Sequence, residues 1–130
     1  MSHHSCLLCL GSNYERHIHM EVARKALEQH FPNIRFGEEM ETEAIGEKFF
    51  SPFSNQLAKF ETNLDFDSIR GILKEIEHLN GRMPEDKSQG IVKLDIDILI
   101  YDSQIIKEQD LKRDFIRKGL KSFGMAIPQL

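Results

Sequence analysis

The stretch 92-VKLDIDILIYD-102 constrains the fold of this chain more than any other. Val92, Leu94, Ile96, Ile98 and Ile100 fall on one face of a strand, and Lys93, Asp95, Asp97, Leu99 and Tyr101 on the other. Such a strand needs a sheet with an apolar layer against one side. Its polar side is unusual, because Asp is depleted in strands and here two share the middle of one. Neighbours on one strand face lie about 6.5–7 Å apart, so the two carboxylates repel. A divalent cation would relieve that repulsion, and Mg²⁺ is typically held by one or two carboxylates together with substrate phosphates. The other reading is a wet sheet face on which Asp is merely solvated. Both stay open at this point.

The remaining segments supply the partners of that strand. Residues 5–11 (SCLLCLG) read as a short buried strand ending in a Gly-Ser-Asn turn. Residues 16–30 have helical spacing, with Met20, Ala23, Leu27 and then His30 or Phe31 on one face, and Pro32 ends the run. Residues 34–44 and 54–63 read as strands, joined by the apolar loop IGEKFFSPF. Exposed apolar loops often mark binding surfaces. Asp65 or Asp67 can cap a helix whose stripe is Phe66, Ile69, Ile72, Leu73, Ile76 and Leu79, stopping at Asn80-Gly81. The segment 82-RMPEDKSQG-90 is expected to be a loop, and 110–123 a further helix. The order β-α-β-β-α-β predicts one domain over 1–130: an α+β, ferredoxin-like sandwich, an antiparallel sheet with helices on one face and a C-terminal helical extension. The other sheet face is expected to be free for a site.

Composition narrows the function classes. A chain of 130 residues, 40% hydrophobic and 29% charged, reads as an ordinary soluble globular domain. A net charge of −4 argues against a duplex nucleic-acid partner. No run of about 18 apolar residues is present, so no membrane partner is expected, and the N-terminus reads as part of the fold rather than a signal peptide. Cys6 and Cys9 should point to opposite faces of the first strand, and unpaired thiols fit a cytoplasmic protein. The histidines and cysteines lack the spacing of a structural zinc site.

Four segments together resemble a known family. LGSN (10–13), TEAIG (42–46) leading to FSNQL (53–57), Glu77 through Gly81-Arg82, and KLDIDILIY (93–101) are similar to the 6-hydroxymethyl-7,8-dihydropterin pyrophosphokinases of folate biosynthesis. The resemblance implies the β-α-β-β-α-β sandwich and transfer of pyrophosphate from ATP to the pterin hydroxymethyl group, releasing AMP. It implies that Asp95 and Asp97 hold two Mg²⁺ ions, with Arg82 beside them as a third catalytic residue. It implies a pterin site at Thr42, Ile45, Gly46, Phe53, Asn55 and Leu120, with Phe123 as the alternative to Leu120 if the tail is shifted. It implies a nucleotide site at Glu77, Arg82, Lys93, Ile98 and Lys118. The partners are therefore small molecules, a reduced pterin and ATP.

The chain also departs from that pattern. Pro84, Ser88, Gln89 and Val92 stand where the family carries arginines and a tryptophan, leaving Arg82, Lys87 and Lys93 as the bases of that segment. The family's Pro-His segment has no counterpart in 110-DLKRDFIRKGLKSFG-124. Lys112, Arg113, Arg117, Lys118 and Lys121 either supply phosphate contacts or form a solvated basic helix end. The alternative function is a divergent, non-catalytic ferredoxin-like module that binds a metal or small molecule.

Overall fold

The computed structural model describes residues 3–43 and 51–125. Strand β1 (His4–Ser12) leads to helix α1 (Arg16–His30). An edge strand follows in two pieces, β2 (Arg35–Phe36) and β3 (Met40–Thr42), and then β4 (Phe53–Thr62). Helix α2 (Phe66–Leu79) precedes β5 (Asp95–Tyr101), β6 (Gln104–Ile105), and the short helices α3 (Glu108–Leu111) and α4 (Asp114–Ser122). The sheet runs β2-β4-β1-β5-β6 with β3 also on β4, and every pair is antiparallel. With β2 and β3 taken as one broken strand, the two halves of the β-α-β-β-α-β chain interleave as a ferredoxin-like sheet must.

One apolar layer joins α1 and α2 to the sheet. Met20, Ala23 and Leu27 of α1 and Ile69, Leu73 and Ile76 of α2 pack on Leu8, Leu10, Phe60, Leu94, Ile96 and Ile98. The expected helical stripes are thus largely observed, with one difference, at the end of α2. Phe31, not His30, closes the stripe of α1, stacked on Phe60 with ring centroids 3.9 Å apart. Leu79 is 72% exposed, whereas Glu77, read as polar, is only 5% exposed. Asp65 is the N-cap of α2, accepting the Ser68 N–H at 2.8 Å.

The second face of the sheet is not free. Leu7, Leu57 and Leu99 are covered there by Leu111, Ile116 and Leu120, so the C-terminal extension lies opposite α1 and α2. The tail is also not one helix: it breaks at Lys112–Arg113 between α3 and α4. In β5 the alternation changes phase. Leu8 pairs with Ile98 and Leu7 with Ile100, so Leu99 is an extra residue on that strand. Ile100 therefore joins Leu99 in the second layer, while Tyr101 packs with the first.

The segment 84–89, expected as loop, is a 3₁₀ turn over Pro84–Gln89. Pro84 sets φ at its first position, and the Asp86 carboxylate accepts the Met83 N–H at 3.0 Å. Asn13 of the LGSN segment pins the chain that follows. Its amide donates to Gly90 O at 2.8 Å and accepts from Val92 N at 2.6 Å.

Candidate active site

The site grows from the part of the second sheet face that α3 and α4 leave uncovered. Gly11 pairs with Asn55 on one side and Asp95 on the other, so these three form a row across the sheet. One step along β1, Cys9 pairs with Leu57 and Asp97. A Cβ at position 11 would sit 3.4 Å from Asn55 Oδ1, so glycine keeps the space between the amide and the carboxylates open. Above this row lies a cavity of about 500 Å³. Thr42, Phe53, Asn55, Arg82, Asp95 and Asp97 all line it. The Asn55 amide donates to Thr42 Oγ1 at 2.8 Å, which fixes its orientation.

A second cleft of about 290 Å³ lies beside the first, and Asp97 lines both. Its walls include Phe66, Leu73, Glu77, Ile98 and Lys107. The two aspartates are therefore not equivalent. Asp95 is ion-paired to Arg82 Nη1 at 2.9 Å. Asp97 is partly buried, and its carboxyl is pushed up to about 7, first by desolvation and then by the Asp95 charge and hydrogen bond beside it. A partly buried Asp97 beside the Asp95 charge is the electrostatic situation a cation resolves. Among the described residues no third carboxylate, histidine or cysteine completes a metal cage. That donor set fits Mg²⁺ shared with phosphate oxygens.

Arg82 is aimed by the end of α2. The Gly81 N–H reaches His78 O at 2.9 Å and the Arg82 N–H reaches Glu77 O at 3.3 Å, a turn that needs the positive φ of 82° at Gly81. The Arg82 guanidinium then returns to Glu77 Oε2 at 3.0 Å and to Asp95. Glu77 Oε2 also accepts the Ile96 N–H at 2.8 Å. Burial pushes the Glu77 carboxyl up, against the opposing pull of that N–H and of Arg82. Glu77 thus ties α2, β5 and Arg82 together at the wall of the smaller cleft.

The other expected site residues lie elsewhere. Leu120 is fully buried in the second core layer and does not line the cavity. Phe123 packs near Gly37 and Arg35 rather than in the cavity. Phe115 and Ile116 line the cavity instead, because the break at Lys112–Arg113 rotates the tail relative to one continuous helix. Lys93 is held by Gly81 O at 2.9 Å and by Asp86 at 3.4 Å, and lines neither cavity. Lys118 is exposed on α4 and also lines neither. Ile45 and Gly46 fall outside the described residues. Residues not assigned from the sequence include Gly11 and Cys9, which the alternation of β1 places on the same sheet face as Asp95 and Asp97. Asp110 and Lys107 have no such pattern to reveal them, whereas Arg113 belongs to the basic cluster already weighed for phosphate contacts and does line the larger cavity.

The model of the family described as 7,8-dihydro-6-hydroxymethylpterin-pyrophosphokinase matches residues 7–124. The chain belongs to this pyrophosphokinase family. The matched span includes both aspartates, Asn55, Glu77 and Arg82. Comparison with curated proteins finds no match. Among solved structures, the chain is similar to a de novo designed protein with a ferredoxin fold, solved by solution NMR. The two are 10% identical, the alignment covers 82% of this chain and 90% of the designed one, and the TM-score is 0.32. The fold assignment accordingly rests on the strand order given above.

Proposed function

We propose that this chain transfers pyrophosphate from ATP to 6-hydroxymethyl-7,8-dihydropterin and releases AMP. The observation that carries the reading is the meeting of two cavities at Asp97, within a chain that belongs to the pyrophosphokinase family. The larger cavity takes the pterin, with Asn55 and Thr42 at its polar edge and Phe53 against the ring. The smaller cleft takes the nucleotide base beside Ile98, with Glu77 in its wall. The phosphates then run past Asp97, where the two substrates face each other. In the transfer, the hydroxymethyl oxygen loses its proton to solvent and bonds to the β-phosphorus, the bond from that phosphorus to the α,β-bridging oxygen breaks, and AMP leaves with that oxygen.

Asp95 and Asp97 would hold two Mg²⁺ ions, which neutralise charge on the phosphates and the attacking oxygen. Arg82 pairs with Asp95 at the edge of the cavity, and the chain's remaining work is to hold the two substrates in line. A coupled assay for AMP tests the reading with ATP, hydroxymethyl-dihydropterin and Mg²⁺. Pterin-dependent AMP release, abolished in Asp97→Ala, is expected. Absence of AMP above background, with no binding of a non-hydrolysable ATP analogue, would overturn it.

A further inference from the structure

The wall of the larger cavity at Thr42, Phe53 and Asn55 is gripped from behind the sheet. In the β3–β4 ladder, Thr42 pairs with Phe53, Glu41 with Ser54 and Met40 with Asn55. Thr42, Phe53 and Asn55 line the cavity. Glu41 and Ser54, one step along each strand, therefore point to the opposite face, the one that α1 covers. Arg16, the first residue of α1, reaches both of them. Its Nη2 is ion-paired with Glu41 Oε1 at 2.5 Å, and its Nη1 donates to Ser54 Oγ at 3.4 Å. Arg16, Glu41 and Ser54 themselves line neither cavity.

Helix α1 itself gives no reason for an arginine at this position. The N-terminal end of a helix disfavours a cation, and the first turn of α1 holds no acidic side chain to offset it. The acid that answers Arg16 lies 25 positions away, on an edge strand of three residues. So short an edge pairing specifies its register weakly, and a slip of one residue would turn Thr42 to the other face. About two turns further along α1, Arg24 Nη1 reaches Glu39 Oε1 at 2.9 Å and Gln56 Oε1 at 3.1 Å. Arg24 thus grips the gap between β2 and β3, whereas Arg16 grips the step flanked by Thr42 and Asn55.

We infer that Arg16 is a positioning residue for the pterin: by tying Glu41 to Ser54 it holds the register in which Thr42 Oγ1 accepts from the Asn55 amide at 2.8 Å. The inference rests on the pyrophosphokinase reading and adds to it a residue that shapes pterin recognition without touching the pterin. With its amide fixed in this way, Asn55 presents donor and acceptor to a pterin edge in one order. Glu41 is 60% exposed, so the ion pair adds little to global stability and acts on the geometry of the wall.

Calorimetric titration of the full chain tests this. α,β-Methylene-ATP is titrated first with Mg²⁺, and hydroxymethyl-dihydropterin is then titrated into protein saturated with that analogue. Arg16→Ala and Glu41→Ala should each weaken the pterin about fivefold, and the double variant no more than either, because both remove one pair. The analogue should bind all three variants within about twofold of the wild type, with melting temperatures little changed. Arg16→Lys should restore most of the pterin affinity. Arg24→Ala, which loosens the same edge away from the cavity, should cost the pterin less than about twofold. Pterin binding as tight in Arg16→Ala as in the wild type overturns the positioning role while leaving the pyrophosphokinase reading intact. An equal pterin loss in Arg24→Ala also overturns it, as do equal losses for pterin and analogue with a lower melting temperature, since these mark a structural role. A wild type that binds neither analogue nor pterin overturns the underlying reading, and the positioning role with it.

Discussion

At the scale of single residues, the two aspartates differ because their neighbours differ. Asp95 has Arg82 at 2.9 Å, while Asp97 sits deeper and beside a carboxylate, so its carboxyl titrates near 7 instead of in the usual acid range. A folded state that raises an acid's pKa binds more protons than the unfolded chain between the two values. Stability without divalent cations should therefore be highest below about pH 4 with respect to this group, and fall as pH rises toward about 7. After allowance for solvent screening the loss is on the order of 1 kcal/mol. Urea denaturation in EDTA across this range should show that slope in the wild type and lose it in Asp97→Asn. Mg²⁺ added at pH 8 should stabilise the wild type and leave Asp97→Asn unmoved. Leu120 illustrates the opposite case, a residue whose family resemblance points to a pterin wall and whose burial assigns it to the core. Leu120→Ala should cost about 2–4 kcal/mol in urea unfolding, as filled core positions do.

At the scale of elements, two glycines in helices make opposite demands. A Cβ on Gly119 of α4 would meet Leu57 Cδ1 at 2.5 Å and Cγ at 3.0 Å, and Leu57 is itself buried. Gly119→Ala should push α4 off β4 and destabilise by about 1–2 kcal/mol, even though alanine is the better helix former. Gly71 of α2 has nothing within 4 Å of the same point. Gly71→Ala should stabilise by about 0.5–1 kcal/mol, and the pair of thermal melts checks both signs. Glu77 links three elements, since one carboxylate oxygen serves Ile96 N–H of β5 and Arg82 beyond α2. Glu77→Leu strands a buried N–H and releases Arg82, at a cost of about 2–3 kcal/mol by urea unfolding. Glu77→Gln keeps an acceptor for Ile96 and should lose less. The amphipathic stripe of α2 is visible in the sequence. The burial of Glu77 beside it is not, because its partners are Ile96 and Arg82, 19 and 5 positions away.

At the scale of the whole molecule, the sheet separates two apolar layers, one under α1 and α2 and one under α3 and α4. The second layer and the larger cavity share one sheet face, so the extension both completes the core and walls the site. A chain truncated after Ile106 would expose Leu7, Leu57 and Leu99 and lose Asp110, Arg113, Phe115 and Ile116 from the cavity. It should keep the far-UV dichroism of the sandwich while binding the hydrophobic dye ANS strongly, and the pair of spectra checks this.

The sequence by itself determined what local spacing and side-chain chemistry can encode. The amphipathic stripes of α1 and α2, the Asp65 cap, the Asn80-Gly81 stop and the alternation of β5 each act within a few residues. Together they specify the β-α-β-β-α-β order, and with it the face on which Asp95 and Asp97 stand. Tertiary structure alone decided which cavity residues meet those aspartates. Gly11 between Asn55 and Asp95, the bulge at Leu99 and the bend at Lys112–Arg113 depend on register and packing between distant segments. No periodicity carries that information, because burial of Leu111, Ile116 and Leu120 against the sheet is what turns Arg113 and Phe115 toward the site.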